Sequence, residues 1–176
     1  SWAIESAADF NNNGTDDLIF RNKQSNEALV WTMANGVKVN GFGLGTIDNS
    51  WKFAAAGDYN NDGTADIAFR NSVTGELLLW KMANAQKVNG YLLGQVDLSW
   101  NLASAQDVNA NGTDDIVWRN SQSGEIIHWD VQNFAKTNGF FDAIVDTSWS
   151  NAGAGDFGAD GVGDLIWRKG DLVWFG

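Results

Sequence analysis

Oxygen-bearing side chains recur at alternating positions in four short stretches of the sequence. In the second stretch, Asp58–Asp66, a carboxylate, amide or hydroxyl group stands at the first, third, fifth, seventh and ninth positions, with glycine at the sixth. This is the chemistry that calcium requires, because the ion takes about six to eight hard oxygen ligands in a forgiving geometry. Magnesium and thiophilic metals fit less well. We predict that these stretches are calcium-binding loops, and we call them the acidic loops, at residues 9–17, 58–66, 107–115 and 156–164.

The acidic loops belong to a longer internal repeat. Tryptophan recurs at an interval of 49 residues from Trp2 to Trp149, and one aspartate and one arginine of each repeat keep the same interval. Self-similarity at a fixed period indicates a repeat architecture. We predict a single domain over residues 1–176, with repeats at 1–49, 50–98, 99–147 and 148–176, the last of them truncated.

Each repeat must also supply the strands that position its loop. In the second repeat, turn residues separate four short strands, and the third strand alternates Leu78, Trp80 and Met82 on one face with a largely apolar opposite face. Two apolar faces both need a covering neighbour, as in a stack of small sheets. The chain has no proline and no long stripe of helical period, which argues against helices. The predicted fold is all-β: a β-propeller made of four-stranded antiparallel blades, four in this chain, with the last one lacking its outer strand.

The acidic loops begin like an EF-hand but do not continue like one. The twelfth position, where an EF-hand needs a bidentate glutamate, is aromatic in all four loops, and a strand is expected to follow in place of a helix. The loops resemble instead those of the FG-GAP or VCBS repeat family of secreted bacterial proteins and the integrin α-subunit propeller, which read Asp-x-[Asp/Asn]-x-[Asp/Asn]-Gly-x-x-Asp. The resemblance covers all four repeats.

In that family, side chains at the first, third, fifth and ninth loop positions bind calcium, together with the backbone carbonyl of the seventh. The resemblance therefore implies the following calcium ligands: Asp9, Asn11, Asn13, Thr15 and Asp17; Asp58, Asn60, Asp62, Thr64 and Asp66; Asp107, Asn109, Asn111, Thr113 and Asp115; Asp156, Asp160, Val162 and Asp164. Gly158 offers no side-chain oxygen, so we expect the fourth loop to bind more weakly. Asp62 adds a carboxylate, so we expect the second loop to bind more tightly than the first and third.

The overall composition excludes several classes of protein. A net charge of −11 repels phosphate backbones and anionic lipid surfaces, so we expect neither nucleic acid binding nor membrane insertion. The chain has no cysteine, and therefore no disulfides or thiolate metal sites. His128 is the only histidine, has no counterpart in the other repeats, and is interpreted as a packed or surface residue. Because no catalytic constellation stands outside the acidic loops, we predict that the chain is not an enzyme.

Tryptophans at the connections between blades are the candidate ligand-binding residues. Trp51, Trp100 and Trp149 could each stack an indole on a sugar ring, although a structural plug at the same joint explains their recurrence equally well. The third-strand tryptophans, including Trp80 and Trp174, are expected in the core. The arginines that end the second strands are expected to pair with the surplus carboxylates.

These features predict a secreted, extracellular calcium-binding recognition module that binds a glycan or a protein surface, as lectin-like and adhesive proteins do. The location follows from the oxygen-only loops, which fill where free calcium is high. The alternatives are a non-catalytic structural or accessory domain of a larger secreted protein, and a polysaccharide hydrolase. The four blades could close alone, pair with a second chain, or belong to a longer propeller. We favour a homo-oligomer that completes a propeller, because an exposed sheet edge invites pairing.

Overall fold

The computed structural model describes residues 1–176 and consists of strands joined by turns and loops, without a helix. The chain divides into two compact units, one formed by Ser1–Asp58 with Asp62–Gln95 and the other by Tyr59–Asn61 with Val96–Gly176. Since there is no helix, none is long and apolar enough to cross a membrane.

The first unit contains two blades of four strands each. Their bounds are β1 (Trp2–Ala8), β2 (Asp17–Asn22), β3 (Glu27–Ala34) and β4 (Val37–Thr46), then β5 (Trp51–Gly57), β6 (Asp66–Asn71), β7 (Glu76–Ala83) and β8 (Gln86–Gln95). The strands of each blade follow chain order, and all neighbours are antiparallel. β1 contacts β5 and β4 contacts β8, so the two blades stack with a shared core between them.

The second unit repeats this plan with one strand fewer. Its strands are β9 (Trp100–Gln106), β10 (Asp115–Asn120), β11 (Glu125–Gln132) and β12 (Ala135–Ile144) in the third blade, then β13 (Ser150–Gly155), β14 (Asp164–Lys169) and β15 (Leu172–Phe175) in the fourth. Both sheets are antiparallel and follow chain order. The fold-class prediction is therefore confirmed: the chain is all-β and built of antiparallel propeller blades, the last with three strands.

The second strand is buried on both faces in the second and third blades, whereas β2 and β14 bury only alternate residues. In β6, five of six residues are buried, among them Ile67, Ala68 and Phe69. Burying a large apolar side chain of this kind contributes about 1.5–3 kcal/mol relative to leaving it exposed. The outer strands β4, β8 and β12 are largely exposed. This gradient explains why the apolar runs of the sequence fall on the second and third strands of each blade.

The third-strand tryptophans separate into two groups. Trp80 and Trp129 are buried, as predicted. The prediction is wrong for Trp174, which is 48% exposed. The reason is the pairing register of the two strands. Trp174 lies opposite Trp167, whose counterpart in the second blade is Phe69, whereas Trp80 lies opposite Ile67. Trp174 is therefore displaced by two residues from the position that Trp80 occupies. The residue of the fourth blade that lies where Trp80 does is Gly176, which exchanges backbone hydrogen bonds with Leu165.

Candidate functional site

Each acidic loop joins the first strand of its blade to the second and is wrapped around its first aspartate. Asp9 Oδ1 accepts hydrogen bonds from the backbone N–H groups of Asn11 and Asn13, both at 3.2 Å, and Oδ2 accepts one from Gly14 at 2.7 Å. In the other loops the first aspartate likewise accepts from the fifth and sixth residues. Aspartate is suited to this position because its short carboxylate can bond the backbone just after it.

The loop backbone requires left-handed residues at its fourth and sixth positions. In the first loop Asn12 has φ 58° and Gly14 has φ 81°. Glycine adopts this region without strain and asparagine tolerates it. Alanine holds the fourth position in the last two loops, as Ala110 (φ 57°) and Ala159 (φ 53°), although a Cβ atom disfavours that conformation. The capping aspartate and the glycine therefore maintain the loop shape even where the fourth residue opposes it.

The ninth loop residue is an aspartate that begins the second strand. Asp17 and Asp115 are fully buried. Asp17 Oδ1 accepts from the backbone N–H of Met33 at 2.8 Å, and Asp115 Oδ1 accepts from that of Val131 at 2.9 Å. Asp66 makes the same bond in the second blade. These bonds tie the first three acidic loops to the third strands of their own blades.

Burial acts against the charge of these carboxylates. Desolvation raises the pKa of Asp115 to about 6, and the nearby carboxylates of Asp130 and Asp107 add to the rise, while hydrogen bonds from backbone N–H groups lower it. Desolvation is also the main cause that raises the pKa of Asp17. A cation beside such a carboxylate would compensate its desolvation and favour the ionised form.

The amide at the third position lies beside the ninth-position carboxylate. Asn11 Nδ2 donates to Asp17 Oδ2 at 2.9 Å, while Asn11 Oδ1 is buried without a hydrogen-bond partner. An unsatisfied buried oxygen costs about 1–3 kcal/mol. A cation in the loop would satisfy it, and every candidate ligand in the loop is an oxygen. The residues of the first loop therefore fit calcium.

Charged residues outside the loops stand beside them, and the sequence analysis missed these residues. One repeat position of the third strand holds Thr32 in the first blade, Lys81 in the second and Asp130 in the third. Lys81 Nζ lies 2.8 Å from Asp62 Oδ2. Asp130 Oδ1 accepts from Asn109 Nδ2 at 3.0 Å. The 49-residue spacing marks this position in the sequence. Its effect on the charge of the acidic loop follows only because the third strand lies next to the loop.

The fourth acidic loop fits calcium least well. Its capping bonds to Asp156 are present, but Gly158 contributes only a backbone N–H, which donates to Asp164 Oδ2 at 3.1 Å. There is room for a side chain at Gly158, because a Cβ atom there would meet only the Asp160 carboxyl group, at 3.5–3.8 Å. This loop is therefore short of a ligand rather than blocked.

The acidic loops are not clusters of acids alone. No group of three or more His, Cys, Asp or Glu side chains is arranged as a metal site. Amide and backbone carbonyl oxygens would have to supply part of any coordination shell, as calcium accepts and as the ligand set implied by the resemblance contains.

Comparison with known families bears directly on these loops. Residues 9–69 match the FG-GAP-like repeat. The matched stretch begins at the first residue of the first acidic loop and includes the second loop, so the predicted resemblance to the FG-GAP repeat family is confirmed over these residues. A search of curated proteins found no match to the chain.

The candidate ligand-binding tryptophans stand at the starts of three different blades. Trp51 begins β5, Trp100 begins β9, and Trp149 directly precedes β13. All three are half-buried. Trp51 packs against the core of the first unit and Trp149 against that of the second. A packing role is therefore present at both residues, and only a free side of the indole could meet a ligand.

Two of the repeated arginines, Arg21 and Arg119, bind backbone carbonyls. Arg21 Nη1 donates to Trp51 O at 2.6 Å, and Nη2 donates to Ile47 O at 2.8 Å and to Asp48 O at 3.0 Å. Arg119 makes the equivalent bonds to three linker carbonyls in the second unit. Neither guanidinium forms a salt bridge, although Asp48 interacts electrostatically with Arg21, and Asp146 with Arg119. Each guanidinium clamps the linker between two blades.

His128 is packed among acidic and aromatic neighbours. Its Nδ1 lies 2.7 Å from Asp142 Oδ1 and its Nε2 lies 3.4 Å from Asp130 Oδ1. The ring stacks on Phe140 with 5.1 Å between centroids. These contacts agree with the interpretation of His128 as a packed residue.

Proposed function

We propose that the acidic loops bind calcium and that the bound ions stabilise the blades. The observation that carries this proposal is the Asn11 amide oxygen, buried without a donor in a loop that also buries the Asp17 carboxylate. Side chains at the first, third, fifth and ninth positions and the carbonyl of the seventh would hold the ion. Calcium would supply the positive charge that these oxygens lack within the chain.

We order the loops by the charge that surrounds them. Asp130 adds a negative charge beside the third loop, Thr32 adds none beside the first, and Lys81 offsets the additional carboxylate of Asp62 in the second. Since a nearby negative charge favours a divalent cation, the third loop should bind most tightly. The prediction that the second loop binds more tightly than the first and third rested on Asp62 alone, and its ion pair with Lys81 weakens that argument. Gly158 leaves the fourth loop weakest.

We also propose that the chain is a non-catalytic, extracellular recognition module for glycans. The half-buried indoles at the starts of the blades support this, because an aromatic ring with one packed side and one open side suits a sugar ring. Free calcium outside cells is high enough to fill sites of this kind. An accessory structural domain is the second candidate, favoured by the packing of Trp51 against the core.

A glycan array probed with the labelled chain separates these two functions. If the chain recognises glycans, we expect it to bind a defined set of saccharides in the presence of calcium and to bind them more weakly in a calcium chelator. A folded, calcium-loaded chain that binds nothing across the array would favour the accessory domain. Turnover of a polysaccharide by the pure chain would contradict the non-catalytic part of the proposal.

A further inference from the structure

A cavity of about 410 Å³ opens between the two blades of the second unit. Its aromatic wall is Trp149, and polar groups come from Asn101, Arg119, Ser121 and Asn151. The volume lies within the range of about 300–1,000 Å³ that is usual for small-molecule sites. No carboxylate lines this cavity, although the chain as a whole carries a net charge of −11. The cavity is thus unlike the acidic loops and does not suit a cation.

We propose that this cavity binds a neutral pyranose ring, an inference that rests on the proposed glycan recognition and assigns it a site. Trp149 packs against the core cluster of the second unit and also lines the cavity, so its indole is held in place while part of it remains accessible. The side chains of Asn101 and Thr147 make no hydrogen bond within the chain and can serve sugar hydroxyls as donors and acceptors.

The bonding of Arg119 explains why the ligand should be neutral. Its two terminal nitrogens donate to the carbonyls of Val145, Asp146 and Trp149. Its Nε is buried without a hydrogen-bond partner. Tight recognition of a carboxylate by arginine uses two parallel N–H groups, and here the terminal nitrogens are already engaged. Two N–H groups remain, one on Nη1 and the buried one on Nε, and they do not lie side by side as a carboxylate requires. This arrangement suits a single hydroxyl or ring oxygen, and the negative net charge of the chain disfavours an acidic sugar.

The same joint in the first unit is built differently. Ninety-eight residues earlier, Phe53 stands in place of Asn151, and lysines stand in place of Ser121 and Ser150. Phe53 is half-buried and packs against the core of the first unit, with its ring edge-on to Phe69 at 6.3 Å between centroids. The corresponding joint of the first unit therefore lacks the small polar residues found at these three positions of the cavity, and it supplies natural substitutions for testing the proposal.

The test uses the full chain in calcium with millimolar methyl glycosides of glucose, galactose, mannose and N-acetylglucosamine. Binding is followed by NMR through the indole N–H signal of Trp149. We expect at least one glycoside to shift this signal, and Asn151→Phe to weaken its affinity at least about tenfold. Ser121→Lys should also weaken binding. Because Ser121 is exposed, this variant avoids any folding defect that Asn151→Phe causes. The matched control is Lys23→Ser at the equivalent position of the first unit, which should bind as the unaltered chain does.

The outcomes distinguish this site from the recognition function as a whole. Glycan binding that survives both Asn151→Phe and Ser121→Lys would place recognition elsewhere and overturn the cavity proposal alone. Binding of glucuronate in preference to the neutral glycosides would overturn the argument from Arg119. If no glycoside binds and the glycan array is also silent, recognition itself fails with the site.

Discussion

Replacement of Asp130 by threonine, the residue of the first blade at this position, should weaken calcium binding to the third acidic loop. The structure supplies the magnitude. Asn109, a predicted ligand, donates to Asp130 Oδ1 at 3.0 Å, so the carboxylate lies next to the coordination shell of any ion in the loop. At a separation of roughly 6 Å in water, a single negative charge stabilises a divalent cation by about 1.4 kcal/mol, which is tenfold in affinity. Screening at about 0.15 M ionic strength reduces this to roughly threefold.

Isothermal titration calorimetry at low and at physiological ionic strength measures this effect. Asp130→Lys, which reproduces the charge of Lys81, should double the free-energy change and give roughly a hundredfold loss at low salt. The control is Asp142→Asn, because Asp142 contacts the same histidine as Asp130 but has no contact with the acidic loop. Asp107→Asn should remove the tightest calcium-binding step from the isotherm and so assign that step to the third acidic loop. Unchanged affinity in Asp130→Thr, or a loss that does not depend on salt, would refute the electrostatic reasoning.

Three further predictions concern single residues. Gly158→Asn should raise the calcium affinity of the fourth loop, because it restores an oxygen at the third loop position, where a Cβ atom has room. Calorimetry should then show an additional binding step. An unchanged isotherm would contradict this. Arg21→Met should lower the free energy of unfolding, measured in urea, by about 3 kcal/mol, because three charge-assisted hydrogen bonds are lost. Arg168→Met, on the surface, should have little effect. Equal losses in the two variants would contradict the proposed role of Arg21 in holding the linker. In chelator, the free energy of unfolding should fall as pH rises through about 6, because Asp115 must then ionise while buried. Asp115→Asn should flatten this decline. Identical pH profiles for the variant and the unaltered chain would show that Asp115 does not cause it.

The blade could be predicted because its signals are local and repeated. The four short strands predicted for the second repeat are present as β5 to β8, and Gly75, between β6 and β7, adopts the left-handed conformation (φ 78°) that glycine favours in turns. The capping role of Asp9 and the burial of Asp17 follow from the same spacing that marked them as ligands. Four copies of one pattern were more informative than any single loop.

Features that depend on packing between strands could not be predicted. Lys81 and Asp130 acquire their meaning only when the third strand lies beside the loop. The register of β15, which leaves Trp174 exposed, follows from a turn that is shorter than those of the other blades. Asn151 lines the cavity at Trp149, where the first unit has Phe53. The sequence alone does not show that this position faces an open space.

Thermal unfolding in calcium and in a calcium chelator tests the calcium proposal most directly. Each loop that is filled at about a hundredfold excess over its Kd should add about 2.7 kcal/mol to the stability of the folded chain. For a chain of this size that corresponds to a rise in Tm of at least about 5 °C for each filled loop. The proposal predicts a rise that saturates with calcium and is smaller in magnesium. The same Tm in calcium and in chelator would contradict it.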